Sequence, residues 1–403
     1  MIPLIYGTLA GLLCGVISGI IPGIHSNTMA GIMLGLSPAL LPVFGAEGLA
    51  AAFVSLLISH SFLEIIPSTF FGIPDSGTAL SVLPAHALTL EGRGQEAVRL
   101  SSLGCIYGVI IGLPVSVLAY LFLTPIQNSI DWITGCLLIL MMGLVIINED
   151  SPVWALLIFV SAGLLGLFAF RFDYLTWIGF GESSILMPLL TGLFGLSVII
   201  TGSQGPIPRQ RFSGIRVSQS DIIRSAIPGT FAGLLVGWLP GLSTASASAV
   251  VSAGIRYDTD RCRYLVATGA ATTANAVIGL AAFYGVERTR NGVMVALSSL
   301  DVPSFPFLLT ACAGASLAAY YITIRLSGCA YLFSGVDGRM INTVVAGFVI
   351  LLTALFTGPF GLFILACSTG IGFIPYLLNL SRVTCMGVVT VPVILYSLEI
   401  GGF

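Results

Sequence analysis

Hydrophobic residues in this chain come in long blocks, cut by single glycines, prolines and short polar runs. The blocks cover roughly 2–21, 24–41, 47–66, 76–90, 98–123, 131–148, 151–170 and 176–200, then 221–239, 242–256, 264–284, 291–300, 304–326, 340–357, 359–378 and 383–401. Many approach the about 20 apolar residues that a helix needs to cross a bilayer. Backbone facing lipid must satisfy its own hydrogen bonds, which favours helix throughout. The pattern predicts an all-α, polytopic protein of the cell membrane, with multiple passes and the lipid bilayer as its solvent.

The two series of blocks match in order, and a glycine ladder opens each. Gly7, Gly11, Gly15, Gly19 and Gly23 stand four residues apart, as do Gly229, Gly233, Gly237 and Gly241. The first ladder runs through GLLCGVISGIIPGIHSNT, Gly11 to Thr28, and the second through GTFAGLLVGWLPGLSTAS, Gly229 to Ser246. Both end in a Pro-Gly step, Pro22-Gly23 and Pro240-Gly241, followed by small polar residues. A duplication follows: repeat one over 1–200, a linker over 201–220 and repeat two over 221–403. Glycine at every fourth position gives a helix a smooth face for close packing.

The first two blocks of each repeat meet at the Pro-Gly step with almost no loop, and the fourth block is short. These read as broken or re-entrant helices. An odd number of crossings per repeat would invert one half relative to the other. Arginine placement agrees, because cytoplasmic loops collect basic residues. With the linker inside, Arg93, Arg99, Arg209, Arg211, Arg216, Arg224, Arg256, Arg261, Arg263, Arg325, Arg339 and Arg382 all fall inside, against Arg171, Arg288 and Arg290 outside. The expectation is two inverted membrane repeats with both termini outside.

Composition narrows the functional classes. The chain is 56% hydrophobic and 8% charged, which leaves no room for a soluble domain. Its net charge of −2 suggests no nucleic-acid partner. The eight cysteines are scattered through apolar blocks without a CxxC pair and read as small hydrophobes. The N-terminus lacks a basic region and reads as the first helix, not a cleaved signal. No HExxH, GxSxG, Walker or zinc-ligand spacing appears, so no enzyme, cofactor or metal is expected.

Candidate chemistry gathers at the breaks. A helix that restarts after Pro-Gly exposes free N–H groups and the positive end of its dipole, which suits an anion. The restarts carry His25, Ser26, Asn27 and Thr28 in repeat one, and Ser243, Thr244, Ser246 and Ser248 in repeat two. The bland alternative is that these residues only cap helices. A third break, Gly72 to Thr78, holds Pro74, Asp75 and Ser76; Asp75 is a coupling-cation ligand or a simple N-cap. Its positional counterpart is Glu287 to Gly292, whose Arg288 and Arg290 either attract an anion or sit at an interface. His60 and Glu64 lie one turn apart in a spanning block and could take up a proton, unless Glu64, near the inner end, simply reaches water. Asn275 lies in the counterpart of the His60 helix and would line the same cavity. His86, beside Pro84, reads as structural.

The Pro-Gly step ending a glycine ladder, the Gly-Ile-Pro-x-Ser element and the Glu91-Gly-Arg-Gly-Gln95 loop together resemble the large membrane subunit of tripartite tricarboxylate transporters, the TctA family. The stretches Ile371–Tyr376 and Arg382–Gly387 are similar to its shorter archaeal branch. The resemblance covers nearly the whole chain. It implies a secondary carrier that moves small organic anions such as di- or tricarboxylates, driven by a proton or sodium ion. In bacterial relatives it also implies a periplasmic binding protein and a small membrane subunit as partners. A second reading is a translocase for a polyprenyl-phosphate or other lipid-linked anion, whose carriers have a similar Pro-Gly element. A non-transporting membrane scaffold is the third.

Overall fold

The structure is a computed structural model that describes residues 2–21, 24–72, 82–177, 185–201, 207–239, 247, 251, 255, 260–335 and 337–398. The helices of the first repeat are α1 (Ile2–Ile20), α2 (Ser26–Gly35), α3 (Ser37–Leu63), α4 (Ile65–Phe71), α5 (Val82–Leu90), α6 (Gly94–Leu123), α7 (Gln127–Ile147), α8 (Pro152–Arg171), α9 (Leu186–Leu190) and α10 (Ser197–Thr201). A π-helical stretch, Thr191–Leu196, joins α9 to α10. The second repeat holds α11 (Gln219–Trp238), α12 (Arg261–Val286), α13 (Gly292–Ser298), α14 (Phe305–Ser327), α15 (Gly338–Leu377) and α16 (Gly387–Ser397). Seven helical stretches among the described residues are long and apolar enough to cross a membrane. The protein is a multi-pass membrane protein of all-α class.

Element boundaries differ from the block pattern at identifiable residues. The block at 24–41 is split at Leu36, and Pro38 opens the next helix, where its missing N–H costs nothing. Helix then continues through 41–47, expected as a loop, with one break at Gly45 (φ 68°). A second glycine, Gly358 (φ 66°), divides α15 where two separate blocks were expected. Both backbones sit at positive φ, which glycine adopts without a Cβ penalty. The block at 176–200 becomes helical only from Leu186 among its described residues.

Each glycine ladder lies along the helix of the third block in its own series, α3 for the first and α12 for the second. A Cβ on Gly7 or Gly11 would overlap the carbonyl of Gly48 or Ala52, and one on Gly229 or Gly233 that of Ala267 or Ala271. In both cases the numbers rise together, so ladder and partner run parallel. The helices of the fifth blocks, α6 and α14, cross onto the other series. Gly104 and Gly108 of α6 press on Val266 and Ala270 of α12, while Thr323 of α14 donates to the Phe62 carbonyl at 3.5 Å. The two fifth helices themselves run antiparallel. Arg99, early in α6, donates to Ser327, the last residue of α14, at 3.2 Å. Tyr120, late in α6, stacks at 5.4 Å on Phe305, the first residue of α14.

These crossings make one large core from the first five blocks of the first series and the blocks at 221–239, 264–284, 291–300 and 304–326 of the second. A second core joins the blocks at 131–148, 151–170 and 176–200 to those at 359–378 and 383–401, and includes Met142, Ile158, Phe159, Leu193 and Ile364. One end of the molecule is tied by the linker. Gln210, buried, accepts from Gly94 N at 2.9 Å and donates to the Thr89 carbonyl at 3.0 Å. Glu96, also buried, binds Arg93 at 2.9 Å and the Arg216 backbone N–H at 3.0 Å. That hydrogen bond from Arg93 to Glu96 raises the Arg93 pKa further above its ordinary value. Arg261 pairs with Glu91 at 2.7 Å, and Arg263 with Asp221 at 2.7 Å.

Candidate functional site

The site grows from the ladder of α1. Gly15 and Gly19 bring α1 onto Ser59 and Leu63 of α3. Ser18, three residues on from Gly15, shares that face and reaches His60. Its Oγ lies 3.0 Å from His60 Nδ1, and His60 Nε2 lies 3.5 Å from Glu64 Oε2. All three residues are buried, with Glu64 only 4% exposed. Of the two readings of Glu64, the one in which it simply reaches water does not fit its burial: helix continues past it into α4. An ionisable pair in such a place must share its charge or neutralise it.

Past the ladder α2 begins. His25 is its N-cap, with Nδ1 accepting from the Asn27 backbone N–H at 3.1 Å and Ser26 Oγ at 3.3 Å. The ring of His25 meets that of His60 edge to face, 5.3 Å between centroids and 61° between planes. Asn27 reaches into the other repeat, where its Oδ1 accepts from Gly292 N at 2.9 Å. Next to that bond Asn291 caps α13, its Oδ1 accepting from Met294 N at 2.9 Å. Residues read from the sequence as anion-binding (His25, Ser26, Asn27) and as coupling (His60, Glu64) thus form one continuous cluster. At about 1.5 Å per helical residue, His60 lies about 22 Å along the helix from the break at Gly45 and about 15 Å from Phe70 near the end of α4.

The second repeat has a matching station. Gly11 meets Ala52 and Gly229 meets Ala267; by the same register His60 corresponds to Asn275. Asn275 is half-buried, whereas its α12 neighbours from Tyr264 to Ala282 are buried. The backbone of Asn275 is held by Gly233 and Gly237.

Arg288 and Arg290 are engaged with carbonyls. Arg288 Nη1 donates to the Trp238 carbonyl at 2.9 Å, and Arg290 Nη1 to that of Leu239. They hold the C-terminal end of α11, where cations favour the helix dipole. His86 Nδ1 lies 3.0 Å from the Thr69 carbonyl and its ring packs on Gly72, a structural role as expected. Pro22, Gly23, Pro74, Asp75, Ser76, Pro240, Gly241, Ser243, Thr244, Ser246 and Ser248 lie outside the described residues, as does the side chain of Thr28.

Sequence reasoning missed Ser18, Asn291 and Gln210. Ser18 had a signal, its i+3 place on the ladder face. Asn291 had one too, its place as N-cap three residues before Met294. Gln210 had none, because its partners Gly94 and Thr89 lie more than a hundred residues off.

Comparison with known proteins agrees with the geometry. The chain is similar to an uncharacterised protein of Methanocaldococcus jannaschii, MJ1079, with 28% identity over 270 residues. That match spans 65% of this chain and 65% of the relative, just under two thirds of its length. No solved structure matches. Residues 5–387 match the tripartite tricarboxylate transporter TctA family, a transporter family and not an enzyme family. With nearly its whole length covered by that match, the chain belongs to the TctA family.

Proposed function

We propose that this protein is a cation-coupled secondary carrier for a small organic anion of the di- or tricarboxylate class, working by alternating access. The observation that carries the reading is the cluster of buried Ser18, His60 and Glu64 with half-buried His25 at the start of α2. The anion is received between the two restarts, by Ser26, Asn27 and Thr28 from one repeat and Ser243, Thr244, Ser246 and Asn275 from the other. His60 and Glu64, with Asp75 and Ser76, handle the accompanying proton or sodium ion. Importing each negative charge against an inside-negative potential costs about 2.3 kcal/mol per 100 mV, so a trianion needs about three cations with it. The antiparallel fifth helices and the crossing of each onto the other repeat support inverted repeats over 1–200 and 221–403. A binding protein and a small membrane subunit complete the system. The family match favours this reading over a lipid-linked phosphate translocase.

The test uses the two ends of the Asn27 amide. Its Oδ1 is taken by Gly292, which leaves the NH2 group to face a substrate. Asn27→Asp keeps the acceptor, so folding persists, but removes the donor and adds a repelling charge. Citrate or succinate uptake into proteoliposomes falls to background in this variant. Uptake at the wild-type rate would refute the site.

A further inference from the structure

The hydrogen bond at the start of α2 fixes the state of one ring nitrogen. A backbone N–H can only donate, so His25 Nδ1, which accepts from Asn27 N at 3.1 Å, carries a lone pair and no proton. Ser26 Oγ, 3.3 Å from the same nitrogen, therefore donates to it too. A Ser or Asn at an N-cap does the same work and keeps its acceptor at every pH. Imidazole does not, because it titrates near neutrality. A proton at Nδ1 turns the acceptor into a donor facing a donor, and sets a positive charge against the positive end of the α2 dipole.

We infer that His25 is a proton-operated helix cap, and this rests on the carrier reading only for its use in transport. Neutral His25 closes the first turn of α2 and so holds Asn27 on Gly292 across the repeats. Protonated His25 releases that turn, frees Asn27 and presents a cation at the place where an anion is received. His25 is here a positioning residue: it acts on the substrate side through Asn27.

Among the described residues, the elements packed against α2 carry these titratable or charged groups. α3 contributes Glu47 and His60, with Glu64 just past its end; α1 contributes Tyr6 and Cys14; α13 contributes none, and Glu287, Arg288 and Arg290 precede it. Of these, His60 stands against the His25 ring, and Glu64 stands beside His60. Two cationic imidazoles at this separation repel. A charge on His60 would repel a proton on His25 across the 5.3 Å between the rings and hold the cap closed. Loss of that charge lets His25 take a proton and open. The cation site and the anion site would thus exclude or admit their ligands through one pair of rings.

Hydrogen–deuterium exchange over residues 26–35 in the purified, nanodisc-embedded protein tests this without reference to transport. Corrected for the intrinsic pH dependence of exchange, wild type should open about tenfold more readily at about pH 5 than at about pH 8, the scale of a lost N-cap. His25→Asn, which caps without titrating, should show a flat profile, and His25→Ser serves if the Asn variant does not fold. His60→Gln removes the repelling charge and should move the wild-type midpoint to higher pH. Parallel profiles in wild type and His25→Asn would overturn the cap, and an unmoved midpoint in His60→Gln would overturn the link between the rings. If the exchange profile behaves as expected but no carboxylate is transported, the cap stands and the carrier reading falls.

Discussion

The two glycine-ladder pairs have the same backbone and opposite chemistry. In repeat one, α1 lies on α3 and the station at the middle holds Ser18, His60 and Glu64. In repeat two, α11 lies on α12 in the same register, and the equivalent positions are Val236, Asn275 and Gly279. The scaffold is therefore held in both halves by the same small-residue contacts, while ionisable groups are kept in one. Packing constrains the ladder face in both copies because the approach of the backbones leaves no volume for a side chain. The station residue faces no such constraint and was free to diverge. One repeat has become a place where charge can change, and the other a neutral amide surface.

The heaviest blow to this comparison would come from the ladders themselves. Gly11→Val and Gly229→Val each force a side chain into a backbone carbonyl, and each should destabilise by at least about 3 kcal/mol. Both should yield little monodisperse protein in detergent, read by size-exclusion chromatography. A well-folded valine variant in one repeat alone would show that the two pairs are not equivalent.

A smaller effect separates the stations. His60→Asn gives repeat one the residue of repeat two, and gradient-driven accumulation of carboxylate should drop about tenfold or more, equivalent to about 1.4 kcal/mol. Asn275→Ala should instead raise the half-saturating substrate concentration and leave the accumulation ratio in place. Identical phenotypes for the two variants would erase the division of labour.

The mildest test leaves stability untouched. Single cysteines placed in 41–47 and in 256–263, in a background without native cysteines, should be labelled from opposite faces of the membrane by an impermeant maleimide. Labelling from one face would break the inverted relation between the repeats.

Much of this was legible before folding. Long apolar blocks determine a helical membrane protein, since lipid offers the backbone no other partners. The paired ladders name the close-packing faces. The His60–Glu64 pair, one turn apart, is visible in any helical reading. What the sequence could not supply is partnership across distance. Asn27 meets Gly292 across 265 residues, Gln210 enters the loop before α6 across more than a hundred, and the ring of His25 meets that of His60 across two intervening helices' worth of chain. Helical periodicity sets which residues share one face. Which faces then meet is decided by the backbone approach that glycine permits and by the closure of both repeats around one core, and only there do a helix cap and a buried ion pair become neighbours.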